Sequence, residues 1–230
     1  MPVDEAVIEN QFFIGVPWKD IRPKFENAIS ALREEYPVHC LIFGRNTGQD
    51  ADDLWHSIQR EIRATAATVF DVSGSNPNVA LEFGYAEALG KQRVLTRYER
   101  KTRKKQPASP HQSSIISDLA GKIRVPYKNV NALKAALRKE FDRNPYAVRF
   151  KAFVAQNRLG KRQQKVAIAA VHELSGGKRV RKPTLVLNLK TAFPNVTTVD
   201  IPALLDHMAD AQLLVIKRGP HGGVWVPKVK

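Results

Sequence analysis

Residues 66–91 read Ala66-Ala-Thr-Val-Phe70-Asp71-Val-Ser-Gly-Ser-Asn76-Pro-Asn-Val-Ala-Leu-Glu82-Phe-Gly-Tyr-Ala-Glu-Ala-Leu-Gly90-Lys91. The apolar run ending in a carboxylate predicts a strand. A short polar turn follows, and then a helix with a second carboxylate on an early turn. Asn76 suits the N-cap and Pro77 the first helical position. Ligands of open α/β sheets sit beyond the carboxyl ends of strands, where such turns lie. Asn78 and Glu82 are four apart and share a helix face near its positive end. Val79, Phe83 and Ala86 face another way, while Ala80, Gly84 and Ala88 form a small-residue seam suited to close packing. Glu82 is therefore expected to point away from the core and toward the turn.

The same alternation extends on both sides. Strands are expected at 11–16, 38–43, 66–72, 93–96 and 123–127, and helices over 20–35, 50–64, 78–89 and 130–141. In the second helix Leu54, Ile58 and Ile62 recur at intervals of four, with Asp52 or Asp53 near its start. Such alternation implies βαβ units on a largely parallel sheet with right-handed crossovers. Residues 97–114 break the rhythm: Arg97, Arg100, Lys101, Arg103, Lys104 and Lys105 are followed by polar residues and prolines, as in a loop.

Arg143-Asn144-Pro145 should stop a helix, which places a boundary between a first domain, 1–145, and a second, 146–230. Helices are expected over 148–158, 163–174 and 184–193, with a further one capped by Asp200 and running to 211. A hairpin follows, from 213–217 through Gly219-Pro-His-Gly-Gly223 to 224–226. Three helices and a hairpin are the order of a winged helix-turn-helix.

The net charge of +15 is unevenly distributed. Residues 1–146 hold 22 Lys/Arg against 18 Asp/Glu, whereas 147–230 hold 15 against 4. That asymmetry favours a polyanionic partner, most simply nucleic acid, at the C-terminal part. The candidate contacts are Lys178, Arg179, Arg181, Lys182, Lys217, Arg218 and Lys228. The helix over 200–211 carries Asp206, His207 and Asp210, which would repel phosphate, so binding should be salt-sensitive and directed mostly at the backbone. A protein partner packed on Trp225 and the hairpin is the competing reading.

Several classes can be set aside. No apolar run approaches a membrane span, and no basic-then-apolar leader opens the sequence, so a cytoplasmic protein without membrane contact is expected. The single cysteine, Cys40, sits in an apolar run and reads as a buried structural thiol. None of the six histidines pairs with His or Cys at metal-ligand spacing, so no metal is expected. Neither a nucleophile elbow nor a P-loop is present. The dinucleotide fingerprint is absent after the first strand, where Gly15-Val-Pro-Trp18 stands instead.

What remains is a carboxylate beside a polar turn, with Phe13, Trp18 and Tyr85 as flat surfaces for a base. Breaking an N-glycosidic bond builds positive charge on the anomeric carbon, and a nearby carboxylate stabilises or attacks it. Asn76 and Asn78 could hydrogen-bond ribose hydroxyls. Read from chemistry alone, a lone glutamate on an amphipathic helix is more often a solvated face residue.

The segment from Asn76-Pro-Asn-Val through Glu82 to Gly90-Lys91 resembles the signature helix of the nucleoside 2-deoxyribosyltransferase-like superfamily. It is also similar to bacterial TIR-like domains with their Asn-Val-x-x-Glu-x-Gly pattern. Phe12-Phe-Ile-Gly-Val-Pro17 looks like that superfamily's first strand and base-binding loop. The resemblance covers roughly residues 10–142. It implies a flavodoxin-like/TIR-like parallel-sheet domain followed by a winged-helix-like one. It further implies Glu82 as the catalytic glutamate and Asp71 as the strand-end carboxylate that orients base or ribose. Phe13, Gly15, Trp18, Ser73, Asn76, Asn78 and Tyr85 would line the substrate. No cofactor is required by this reading; NAD or another nucleotide would be substrate or ligand. Deoxyribosyltransferases carry an acid shortly before the glutamate, where this chain has Ser75, Asn76 and Asn78, which favours a single-glutamate hydrolase. A nucleotide-sensing, DNA-binding regulator or scaffold without turnover is the alternative, and homo-oligomerisation is left open.

Overall fold

A computed structural model of the chain describes residues 6–17, 19–43, 51–74, 76–99, 124–194, 199–217 and 222–229. Its residues form two compact units: Phe12–Ser30 with Cys40–Arg138, and Met1–Gln11 with Ala31–His39 and Lys139–Lys230. We call them the sheet unit and the helical unit.

The sheet unit draws on β1 (Val7–Gly15), α1 (Arg22–Arg33), β2 (His39–Ile42), α2 (Ala51–Ala64), β3 (Thr65–Asp71), α3 (Pro77–Ala88), β4 (Gln92–Tyr98), β5 (Arg124–Tyr127) and α4 (Val130–Arg143). The parallel strands run in the order β2-β1-β3-β4-β5. This is the flavodoxin-like order, with its switch point where β1 lies between β2 and β3. The fold class expected from the alternation is the one found. β3 pairs with β4 from Ala67↔Gln92 to Asp71↔Thr96, and β4 with β5 from Leu95↔Arg124 to Tyr98↔Tyr127. Strands covered on both faces become continuously apolar, and Phe12, Phe13, Ile14, Val69 and Phe70 are all buried. Phe13, Ile62, Phe70, Val79, Phe83, Ala86 and Leu95 pack as one cluster, with the Phe70 and Phe83 rings edge to face. Burying each large side chain contributes roughly 1.5–3 kcal/mol. Lys91 donates to the carbonyls of Arg63 at 2.6 Å and Thr65 at 2.8 Å, closing the end of α2.

The helical unit contains α5 (Pro145–Gln156), α6 (Lys161–Glu173), a short 3-10 turn (Ser175–Gly177), α7 (Lys182–Ala192), α8 (Ile201–Asp210), β6 (Val215–Ile216), β7 (Val224–Trp225) and β8 (Lys228–Val229). Asn144 caps α5, accepting from Ala147 N at 3.1 Å, and Pro145 opens the helix, so the stop read at Arg143-Asn144-Pro145 is real. Asp200 caps α8 as expected, accepting from Ala203 N at 3.0 Å. Tyr146, Phe150, Val166, Val171, Leu185, Leu189, Leu204, Leu205 and Val224 fill one core. β6 and β7 pair antiparallel (Val215↔Trp225, Ile216↔Val224). Two features were not read from the sequence. Val180 forms an isolated antiparallel bridge with Val224, on the side of β7 away from β6. β8 pairs with the start of β1 (Val7↔Val229, Ile8↔Lys228). No described helix is long and apolar enough to cross a membrane.

Candidate active site

The carboxyl end of β1 stops at Gly15, and α3 brings Glu82 up against it. A β-carbon on Gly15 would stand 2.6 Å from Glu82 Oε2 and 2.5 Å from Phe70 Cδ1. Both are closer than side chains approach one another, so only glycine lets the glutamate occupy this position. Glu82 is half-buried. Among the described residues its carboxylate has no hydrogen-bond or ion-pair partner. Burial pushes its carboxyl pKa up from 4.5 to about 7. Such an acid is poised between protonation states near neutrality, and no described residue occupies its oxygens.

α3 gains this placement from its own start. Asn76 Oδ1 accepts from Asn78 N at 2.9 Å and Val79 N at 3.3 Å, with Pro77 next in line. Val79, Phe83 and Ala86 are buried as the spacing predicts. Asn78 is exposed, one turn before Glu82. The seam is different: Gly84 and Ala88 are exposed, and a β-carbon on Gly84 would meet no atom within 4 Å. Ala80, the third member, is half-buried.

Asp71 is fully buried at the end of β3. Its Oδ2 accepts from Tyr127 Oη at 2.9 Å and Thr96 Oγ1 at 3.0 Å, and its Oδ1 accepts from Ser73 N at 2.9 Å. Burial nonetheless raises its pKa, against the pull of those donors. Ser73 Oγ in turn accepts from Tyr98 N at 2.7 Å. The pair Asp71 and Ser73 thus ties the ends of β3, β4 and β5 together and fixes the turn that leads into α3. Tyr127 and Thr96 went unnoticed in the sequence because each is an ordinary strand residue until the register aligns it with Asp71.

Two expected flat surfaces are placed elsewhere. Phe13 is fully buried, its ring 6.1 Å from that of Phe70, and offers no face to a base, because a central parallel strand is covered on both sides. Tyr85 turns toward α2, where its hydroxyl accepts from Arg63 Nε at 2.6 Å and its ring meets Trp55 edge to face. Trp18 lies outside the described residues, as do Ser75 and most of the basic stretch over 97–114. At the end of β4, Lys24 Nζ lies 4.9 Å over the Tyr98 ring. Cys40 is half-buried and its thiol pKa is pushed up by burial, in keeping with a structural role. Among the described residues no group of His, Cys, Asp and Glu could hold a metal ion.

In the helical unit, Arg179 and Arg181 flank the Val180 bridge and are exposed, as is Lys178. Lys217 follows β6, its N donating to Gly223 O at 3.0 Å. Lys182 instead pairs with Asp206 at 2.5 Å. Lys228 stands in β8 beside Gly177, and Arg218 lies outside the described residues.

No family model and no curated protein matches the chain. Among solved structures it is similar to a 2-desoxiribosyltransferase from Leishmania mexicana, at 26% identity over 39% of this chain, with a TM-score of 0.36. The chain spans 65% of that protein's length. It is similar to the Clostridium botulinum CMP N-glycosidase BcmB, at 17% identity over 56% of this chain and 98% of that one, TM-score 0.39. It is also similar to the TIR domains of the activated Roq1 resistosome that recognises the effector XopQ. There the identity is 13% over 87% of this chain and 98% of that one, with a TM-score of 0.33. These are partial likenesses, and the chemistry of the site rests on this chain's own residues.

Proposed function

We propose that the sheet unit cleaves the N-glycosidic bond of a nucleotide or nucleoside, with Glu82 meeting the anomeric carbon. The supporting observation is the half-buried Glu82 carboxylate, held against Gly15 at the end of β1 with no hydrogen-bond or ion-pair partner among the described residues. As the base leaves, positive charge grows on the sugar, and an ionised carboxylate in a poorly solvated place stabilises it far better than water does. Attack of Glu82 on the anomeric carbon and direct stabilisation of that charge both use the ionised form. Asn78 and the amide nitrogen of Asn76 are the polar groups nearest in sequence for ribose hydroxyls. Asp71 acts as a positioning residue, since its oxygens hold the Ser73 turn and the Tyr127 hydroxyl. NAD, nucleosides and deoxynucleotides are the substrate classes to try.

We read residues 146–230 as a winged-helix-like module that docks on nucleic acid, a reading supported by the succession α6, the Val180 bridge, α7, α8, β6 and β7. Further support comes from its charge, 15 Lys/Arg against 4 Asp/Glu over 147–230, and from the exposed cations beside the β6–β7 hairpin and the Val180 bridge.

A second reading, a domain that senses a nucleotide without turnover, is favoured by one feature. The only other carboxylate of the turn, Asp71, is fully buried and engaged, so Glu82 works without a second acid. Purified protein incubated with NAD and with deoxynucleotides, with and without DNA, separates the two. Release of free base that is lost in Glu82→Gln supports cleavage; binding with no release under any condition supports sensing.

A further inference from the structure

The outer face of the small sheet in the helical unit has a composition that the winged-helix reading does not account for. In the antiparallel ladder Val180, Val224 and Ile216 stand in one row. Val224 is fully buried in the core, and Val180 and Ile216 pack against it. Alternation then sends the flanking residues to the opposite face: Arg179 beside Trp225, and Arg181 beside Gly223 and Lys217. Arg179 lies with its guanidinium carbon 4.1 Å over the Trp225 ring. Gly223 makes room for that posture, since a β-carbon there would stand 2.5 Å from Arg179 Cγ. Arg179 is exposed, so the stack ends in a planar cation open to solvent. Among the described residues no carboxylate pairs with Arg179, Arg181 or Lys217, whereas Lys182, Lys165, Lys151 and Arg149 all have acidic partners.

The helix that would enter a major groove is built the other way. α8 exposes Asp206, His207 and Asp210, and its neighbour Lys182 is already spent on Asp206. Phosphates flanking a groove would meet like charge there. A flat face carrying an indole, a stacked guanidinium and two further cations matches a different ligand. Unpaired bases stack on planar groups while the cations follow the backbone, and a base inside a duplex offers no free face.

We infer that the Arg179–Trp225 face binds single-stranded nucleic acid, with Arg179 as the stacking surface and Arg181 and Lys217 as backbone contacts. The inference rests on the nucleic-acid reading of the helical unit and narrows its ligand. It is tested with the full chain by fluorescence anisotropy. The probes are a labelled strand of about 20 nucleotides, its blunt duplex, and an abasic strand of equal length, across a salt series. The strand should bind roughly ten-fold more tightly than either the duplex or the abasic strand. Arg179→Ala should remove that preference. Arg179→Lys should also remove it, because charge without a plane does not stack, yet keep the salt dependence of the parent. Circular dichroism establishes that both variants fold, and a variant that does not fold leaves the parent's comparison of the three probes as the deciding measurement. A duplex bound as tightly as the strand, or an abasic strand bound equally well, overturns the inference while nucleic-acid docking survives. No binding to any probe at low salt overturns both.

Discussion

Glu82 and Gly15 share one space: a carboxylate oxygen of Glu82 stands 2.6 Å from the point that a β-carbon on Gly15 would occupy. The glycine is present for room, since its backbone is not in the left-handed region. Gly15→Ala should push both Glu82 and the Phe70 ring aside. The expected cost is about 1–3 kcal/mol of stability from overpacking, and base release should fall by roughly 100-fold from misplacement of the acid. Thermal melts and the release assay on the same preparation read the two effects. A variant with parental turnover would separate Glu82's position from its activity.

The pKa of Glu82 gives a pH signature. The carboxyl titrates near 4.5 when solvated and at about 7 in the fold. A raised carboxyl pKa means that the fold favours the neutral form. Its contribution is fully present below pH 4.5 and is lost as pH rises through 7. Glu82→Gln should therefore be more stable than the parent at pH 8, by about 2 kcal/mol once partial solvation is allowed for. The two should converge near pH 4. Base release, which needs the carboxylate, should climb with pH to a plateau above 7 and be abolished in Glu82→Gln. Chemical denaturation at the two pH values and a pH–rate profile check these outcomes.

Tyr127→Phe removes one of the donors that hold Asp71, alongside Thr96 and Ser73. A hydrogen bond to a buried charged group is worth about 1.5–3 kcal/mol, so denaturation midpoints should fall by that amount. With the turn loosened, kcat should drop more than substrate affinity if Asp71 acts by positioning, as its full burial and engaged oxygens support. A large rise in KM with unchanged kcat would instead place Asp71 in the binding surface.

Asn76→Ala should cost about 1 kcal/mol through loss of the α3 cap, and Asn76→Asp should restore it because the carboxylate accepts the same two amides. If Asn76 also holds ribose through its amide nitrogen, Asn76→Asp will keep its stability yet bind substrate more weakly. Melting temperature and KM, measured on both variants, separate capping from recognition.

The part of the fold that follows from local chemistry was legible in the sequence. Asn76-Pro77 announces a helix start on its own and Arg143-Asn144-Pro145 a helix stop, although α5 begins at Pro145 rather than at the expected 148; the alternation of apolar runs points to a largely parallel sheet around them. The spacing of Glu82 from Val79 and Phe83 directs it away from the core and toward the turn; its approach to Gly15, beside the buried Phe70, is not legible from that spacing. What stayed hidden depends on register. Nothing near Tyr127 or Thr96 in the chain tells them apart from other strand residues, and only the alignment of β3, β4 and β5 delivers them to Asp71. Phe13 was misjudged for the same reason: an aromatic beside a strand end looks available until both faces of the strand are covered. Val180 gave no signal, because a single bridging residue has no periodicity to detect.

The antiparallel rung between Val7 and Val229 joins residues separated by roughly 220 positions. During synthesis the first residues of β1 must therefore wait for more than 200 further residues before they find this neighbour. A ribosome stalled within the β6–β7 hairpin would hold a chain in which Val7 and Ile8 still lack their β8 partner. A fusion placed directly after Val229 would crowd that rung, whereas one joined by a long flexible tether would leave it intact.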